Sequence, residues 1–569
     1  MTNKTFLLPT LTLALSSAAF AAEPVAFESF TYTGRDTIFE APLPAGHFQN
    51  PILAGYYPDP SICRVGDDYY LINSSFAHFP GIPIFHSKDM VNWKQIGHVI
   101  TRPDQLNYDN LGITRGIFAP AISHHNGTFY VICTMVDAGG NFLMTTKDPA
   151  GPWSDPIWLG FDGIDPSIFF EDDGRAWIVN NGNPPDNQPL YQGHRAIWIQ
   201  EFDPKNNKLI GPRSIIVNGG VDLSTKPVWI EGPHLYKRNG WYYLCCAEGG
   251  TSNQHSQVIL RSKAVTGPYV PWDKNPILTQ RNLDNNAKHA VTCTGHADLE
   301  IGPDGQWWSI FLACRPYAPD RWATGRETFL LPVTWTDDGW PLILPPGERV
   351  SYVVKAPKVE RADPSALGSK ENALGSTRST PLTGNFTLVD EFDQAALSPQ
   401  WIMIRTPKES WWKLADGKLH LTPRAERLSG KGNPSYWGRR LQHSKYEAST
   451  KLTIPAARGT SAGLAISQNE THTYYFAAQR TEGGLSAFVE VQNGPKPHTL
   501  VTGLLPADAK EVELRITGDE KVLSFAYRLG PGEWKELLPK ADSYPISVQA
   551  AGGGGHFTGA LIGPHARTE

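Results

Sequence analysis

Three carboxyl side chains stand in short, related settings: Asp59 in Tyr57-Pro58-Asp59-Pro60-Ser61, Asp165 in Ile164-Asp165-Pro166-Ser167, and Glu231 in Trp229-Ile230-Glu231-Gly232-Pro233. His296 in Thr294-Gly295-His296-Ala297-Asp298 and Ala119 after Gly116-Ile117-Phe118 occupy two further settings of the same kind. A proline fixes its own φ and restricts the residue before it, so Asp59 between two prolines is expected to be held rigidly. Three converging carboxyls and a histidine allow two chemistries. They can hold a hard cation such as calcium, which wants about six to eight oxygens and would need water and backbone to complete its shell. They can also act as acid and base. Hydrolysis of a glycosidic bond with inversion uses one ionised carboxyl to activate water and one protonated carboxyl to serve the leaving oxygen, about 6.5–9.5 Å apart. The third would tune the acid, since an ionised Asp165 near Glu231 would raise its pKa and help keep it protonated near neutral pH.

Convergence requires a scaffold that repeats. Five strand-turn-strand units carry a Gly/Asp/Asn turn followed by an aromatic strand, with turn glycines at Gly66, Gly127, Gly174, Gly240 and Gly305. Asn-Gly and Asp-Gly are among the strongest hairpin signals. The spacing suits one four-stranded sheet per unit, and the five settings above fall at the start of the strand before each turn. The expected fold class is all-β: a five-bladed β-propeller over residues 45–355, whose innermost strands aim these positions at one mouth of the central channel. An irregular sandwich is the alternative arrangement of the same hairpins. Residues 356–384, rich in Pro, Gly, Ser and charge, read as a linker. From residue 385 to 569 the period-two stretches and short turn spacing predict a β-sandwich.

The chain has 569 residues, 40% hydrophobic, 19% charged and 11% aromatic, enough for two or three packed domains. A formal net charge of -5 and the lack of a long basic run give no footprint for nucleic acid or an anionic membrane surface. Lys4, the apolar stretch Phe6 to Leu15 and the ending Ala19-Phe20-Ala21 predict a secretory signal over residues 1–21, hence an extracellular or periplasmic protein. The six cysteines are too few and scattered for a disulfide scaffold, and no Cys/His spacing suggests zinc.

The set Tyr-Pro-Asp-Pro-Ser, Gly-Ile-Phe-Ala-Pro, Ile-Asp-Pro-Ser-Ile-Phe, Ile-Glu-Gly-Pro-His-Leu, Thr-Gly-His-Ala-Asp-Leu and Gly-Arg-Glu-Thr, in that order over residues 48–345, resembles glycoside hydrolase family 43. The family's members include β-xylosidases and α-L-arabinofuranosidases on five-bladed propellers. The second domain is similar to the C-terminal concanavalin-like (jelly-roll) sandwich of the β-xylosidase-type members. The resemblance implies Asp59 as general base, Asp165 as the carboxylate that raises and orients the acid, and Glu231 as general acid of a single-displacement, inverting hydrolysis. It implies sugar contacts from His296 and from Arg326 in Gly325-Arg326-Glu327-Thr328, the alternative for Arg326 being a strand-end pair with Glu327. No cofactor or catalytic metal is required, with room for a structural calcium near His296.

Flat C–H faces of a sugar call for aromatic walls. Phe76 and Phe118 are the candidates, Phe118 standing where other members often carry tryptophan. Phe557, after the glycines of Ala-Gly-Gly-Gly-Gly-His-Phe, is a candidate cap reaching from the sandwich, or else a sandwich packing residue. The expected partner is a xylo-oligosaccharide or arabinoxylan, cleaved exo-wise at its terminal pentose. Debranching of arabinoxylan or arabinan by an α-L-arabinofuranosidase is the alternative within the class, and a non-catalytic carbohydrate-binding propeller the alternative outside it. The Asn-Asp-Pro-Asn, Arg-Asp-Pro and Glu-Cys signatures of invertase-type propellers are absent around Asp59, Asp165 and Glu231, and no series of sialidase-type Asp boxes occurs.

Overall fold

The computed structural model describes residues 23–319, 321–358 and 381–569, so the expected signal segment and most of the linker lie outside the described residues. What is described is all-β, with helical structure confined to short 3-10 turns. Five antiparallel sheets follow one another along the chain, and their innermost strands are Ser61–Val65, Gly116–His125, Ile164–Phe170, Glu231–Arg238 and Thr292–Ile301. The first three sheets have four strands each; the fourth adds the short strand Leu278–Thr279, and the fifth has three strands. Each innermost strand packs against the next, and the last packs against the first.

Local backbone chemistry sets the hairpins. Asn126 and Gly127, like Asn239 and Gly240, all have positive φ, as a two-residue turn matched to strand twist requires. The fifth sheet is completed from the other end of the unit. Ile52 N donates to Thr328 O, Leu53 forms a bridge with Thr328, and His47–Gln49 pairs with Val353–Lys355. Phe48, Ile52, Leu53, Phe329 and Val354 share one buried cluster, so the start and the end of this unit are fastened together.

The C-terminal half forms two facing sheets. One contains Thr460–Asn469, His472–Thr481, Gly484–Asn493 and Leu561–Thr568; the other contains Lys445–Thr453, Glu511–Asp519 and Val522–Arg528. The second sheet also holds Val25–Gly34, which lies between Lys418–Leu421 and Lys445–Thr453 with Tyr32 opposite Ala448. Phe27, Phe30 and Tyr32 on its inner face are buried. The sandwich therefore begins with residues from before the first sheet, a placement beyond the sequence reading. Leu382, within the stretch read as linker, is buried, and its carbonyl accepts from Ala54 N.

The two halves are tied closely. Met403–Ile404 pairs with His78–Phe79, Arg405 Nε donates to Leu111 O, and Arg440 Nε donates to Tyr56 O. Asp36, Arg315 and Glu327 form a buried ionic chain across the same junction. All six cysteines are buried. No helix among the described residues is long and apolar enough to cross a membrane.

Candidate active site

The innermost strands share a local distortion. The ladder breaks between Phe118 and Ala121, Ile164 and Ser167, Glu231 and His234, and Gly295 and Asp298. At each break one residue is left-handed: Ala119 (φ 31), Asp165 (φ 53), Gly232 (φ 55) and His296 (φ 51). Asp59, just ahead of the first strand, has φ 49. The residue after each is Pro60, Pro120, Pro166, Pro233 or Ala297. A bulge re-aims a side chain out of the ladder. A residue before proline ordinarily takes extended backbone; here left-handed backbone holds Asp59 and Asp165 instead.

The register also corrects the alignment of Glu231 with the other positions. Gly232 is the equivalent residue, and Glu231 stands one place earlier, where the second and third sheets carry Phe118 and Ile164. The reason is steric: a Cβ on Gly232 would lie 2.9 Å from the ring of His296. With the central place filled by that imidazole, the fourth sheet supplies its carboxyl from the neighbouring position.

Asp59, Asp165, Glu231, His296 and Arg326 are each less than a tenth exposed. Together with Phe76, Phe118 and Phe557 they line one cavity of about 260 Å³. The Asp59 carboxylate accepts from Ser74 Oγ at 2.6 Å, and Ser74 Oγ in turn accepts from Ala119 N at 2.7 Å. His296 Nδ1 and an Arg326 guanidinium nitrogen lie 3.8 and 3.9 Å from Asp59 Oδ1. The Glu327 carboxylate is held by Arg315 at 2.6 and 2.8 Å, which leaves Arg326 facing the cavity beside Asp59.

Burial, reinforced by the charge of Asp59, pushes Glu231 up to about 7 against the opposing pull of Arg326 and Arg195. Burial and the charges of Glu231 and Asp59 push Asp165 well above the carboxylate range, against a hydrogen bond from the Gly232 amide. Repulsion between Asp165 and Glu231 is mutual, so this buried pair retains a proton near neutrality. Glu231 is raised, but not by an ionised Asp165 as expected: Asp165 is itself pushed up, and the causes at Glu231 are burial and the charge of Asp59. Burial pushes His296 down, favouring neutral imidazole.

The aromatic wall comes from both halves. Phe76 lies 5.2 Å from Phe118 edge-on and 6.0 Å from Phe557 in a stacked pair, and Arg326 sits 4.8 Å from the centre of the Phe557 ring. Phe557 is carried there because its loop is clamped. Ala560 N donates to Ala323 O, His556 is buried against Gln468 and Thr558, and a Cβ on Gly559 would meet Thr324 O at 2.4 Å.

The sequence reading missed Ser74, Gly232, Thr251 and Trp229, the last two also lining the cavity. Trp229 had a visible signal, a tryptophan two residues before the acid. Ser74 had none, since only the folded hairpin brings it to Asp59. Beside His296, Asp298 is already engaged by Ser61, Ile62 N and Tyr236, and Arg326 faces the other side. Among the described residues no group of three His, Cys, Asp or Glu side chains is placed to hold a metal ion. This donor set does not fit a calcium ion held by protein oxygens.

A cavity that buries a proton-retaining carboxyl pair and a third carboxylate between aromatic walls is the kind of site that hydrolyses glycosidic bonds. Residues 48–341 match the family model for glycosyl hydrolases family 43, and residues 389–569 match the β-xylosidase C-terminal concanavalin A-like domain. The chain belongs to glycosyl hydrolases family 43. It is 43% identical over 525 residues to a xylosidase/arabinosidase of Butyrivibrio fibrisolvens, spanning 91% of this chain and 95% of that relative. It is 36% identical to a non-reducing end α-L-arabinofuranosidase of Bacteroides ovatus, over 91% of each. The crystal structure of a GH43_12 protein retrieved from a capybara gut metagenome superposes with a TM-score of 0.86 at 41% identity, covering 96% of this chain and 100% of that one.

Proposed function

We propose that this protein is an exported, inverting exo-β-xylosidase that releases terminal pentose from xylan-derived oligosaccharides and also accepts terminal α-L-arabinofuranose. In this reading the five sheets are the blades of a five-bladed propeller, and the pocket lies at the mouth of its channel. Asp59 takes a proton from water as the water attacks the anomeric carbon, and Glu231 gives its proton to the departing oxygen. Asp165, buried against Glu231, shares with it the proton that this pair retains near neutrality, and proton exchange with solvent returns Asp59 and Glu231 for the next turnover. No step involves a metal.

The observation that carries this reading is the buried Glu231, pushed up to about 7, in a cavity it shares with Asp59. Phe557 from the sandwich closes one side of that cavity, which favours end-on entry of a single terminal ring over threading of a long chain. The names of the relatives support pentose release, and both sugars occur among them.

The test is product release from xylobiose and from arabinose-decorated xylo-oligosaccharides by the intact protein and by Asp59→Ala. Xylose from xylobiose, absent with the variant, is the expected result, with proton NMR of the first-formed sugar showing the inverted anomer. Release of arabinose alone would move the assignment to a debranching arabinofuranosidase. No release of either sugar would overturn it.

A further inference from the structure

We propose that Trp229, backed by Arg195, is the platform for the sugar on the leaving side of the scissile bond. The inference rests on the reading of Glu231 as the acid: the departing ring must lie on the side of the pocket that Glu231 serves. Trp229 stands two residues before Glu231, half-buried, and lines the same cavity. The Arg195 guanidinium lies 4.2 Å from the centre of the indole ring and donates to Asn183 Oδ1. A cation on one face leaves the other for a sugar's C–H surface.

The backbone fixes this ring. Trp229 has φ 51, a conformation costly for a bulky side chain. It is held there by Trp229 N donating to Gly193 O and Gly249 N donating to Val228 O, both at 2.9 Å. The remaining aromatic wall is tied to the base: Phe76, Phe118 and Phe557 touch one another, and Arg326 joins Phe557 to Asp59. The cavity thus has one aromatic set beside the base for the terminal ring, and one indole beside the acid for the ring that departs.

A purely structural role would be to position Glu231, and the test separates the two. The kcat/KM of wild type and Trp229→Ala is compared on xylobiose, whose leaving group is a sugar, and on methyl β-D-xylopyranoside, which also needs the acid but has no leaving ring. A platform predicts a loss of about tenfold on xylobiose and a change within about twofold on the methyl glycoside. Trp229→Leu, which keeps bulk without a flat face, should show the same split if the alanine variant folds poorly. Equal losses on both substrates would overturn the proposal in favour of positioning Glu231; no loss on either would overturn it outright. Wild type inactive on both would sink the xylosidase reading and this inference with it, an outcome distinct from either variant pattern.

Discussion

Ser74 joins the Asp59 carboxylate to the second sheet, its hydroxyl donating at 2.6 Å to Asp59 Oδ2 while it accepts the Ala119 amide at 2.7 Å. Ser74→Ala would leave that buried amide unpaired and the carboxylate less well aimed. We expect kcat on xylobiose to fall about ten- to a hundredfold with KM little changed, and stability to fall by about 1–2 kcal/mol. Steady-state kinetics and thermal unfolding of the variant check both parts; an unchanged kcat would remove Ser74 from the machinery.

Glu231, pushed up to about 7, fixes the sign of two pH effects. Activity should fall as pH rises through about 7, because the acid loses its proton. The folded-state pKa lies above that of an exposed glutamate, about 4.5, so the proton's contribution to stability is fully present below about 4.5 and is lost as pH rises through about 7. Fully lost, it is on the order of 3 kcal/mol. Glu231→Gln, which has no charge to bury, should therefore gain thermal stability relative to wild type between pH 5 and pH 8. A difference in Tm that stays flat across that range would contradict the burial argument.

Phe557 makes the sandwich part of the pocket. Phe557→Ala removes the stack on Phe76 and the ring under Arg326 while leaving the buried His556 anchor in place. The expected outcome is a loss of about ten- to a hundredfold in kcat/KM on xylobiose with the unfolding midpoint close to wild type. An unaltered kcat/KM would return Phe557 to a packing role.

Arg315 stands between two buried carboxylates, 2.9 Å from Asp36 and 2.6 Å from Glu327, and also donates to Gln442 O. Asp36 accepts from Ser444 N, Ser444 Oγ and Lys445 N, so the chain links the N-terminal segment, the fifth sheet and the sandwich. Arg315→Met would strand both charges and should cost about 3–5 kcal/mol, read as a lowered midpoint in thermal or denaturant unfolding. A midpoint within experimental scatter of wild type would show that this chain does not fasten the junction.

What could be read from the sequence was local in origin. Asn-Gly and Asp-Gly turns announce their hairpins because positive φ is a property of one or two residues. Asp59, Asp165, Glu231 and His296 could be found because each sits in a short recurring setting at the head of a strand. Burial of the cysteines follows from the apolar runs around most of them. Alternation in Val25–Gly34 was visible in principle, but its partners Lys418–Leu421 and Lys445–Thr453 lie hundreds of residues away and leave no mark on it.

By itself, then, the sequence determined the all-β class, the repeated hairpins, the family and the carboxyl inventory, since turn sterics, strand alternation and motif spacing act over a few residues. The tertiary structure decided the rest. It set Gly232 rather than Glu231 in line with Asp59 and Asp165, because the His296 ring fills the space a Cβ would need. It paired Arg315 rather than Arg326 with Glu327, brought Ser74 to Asp59, and carried Phe557 across from the sandwich. It also raised Glu231, through burial and the charge of Asp59. Packing, desolvation and charge proximity depend on distances in space, and residues far apart in the chain acquire those distances only when it folds.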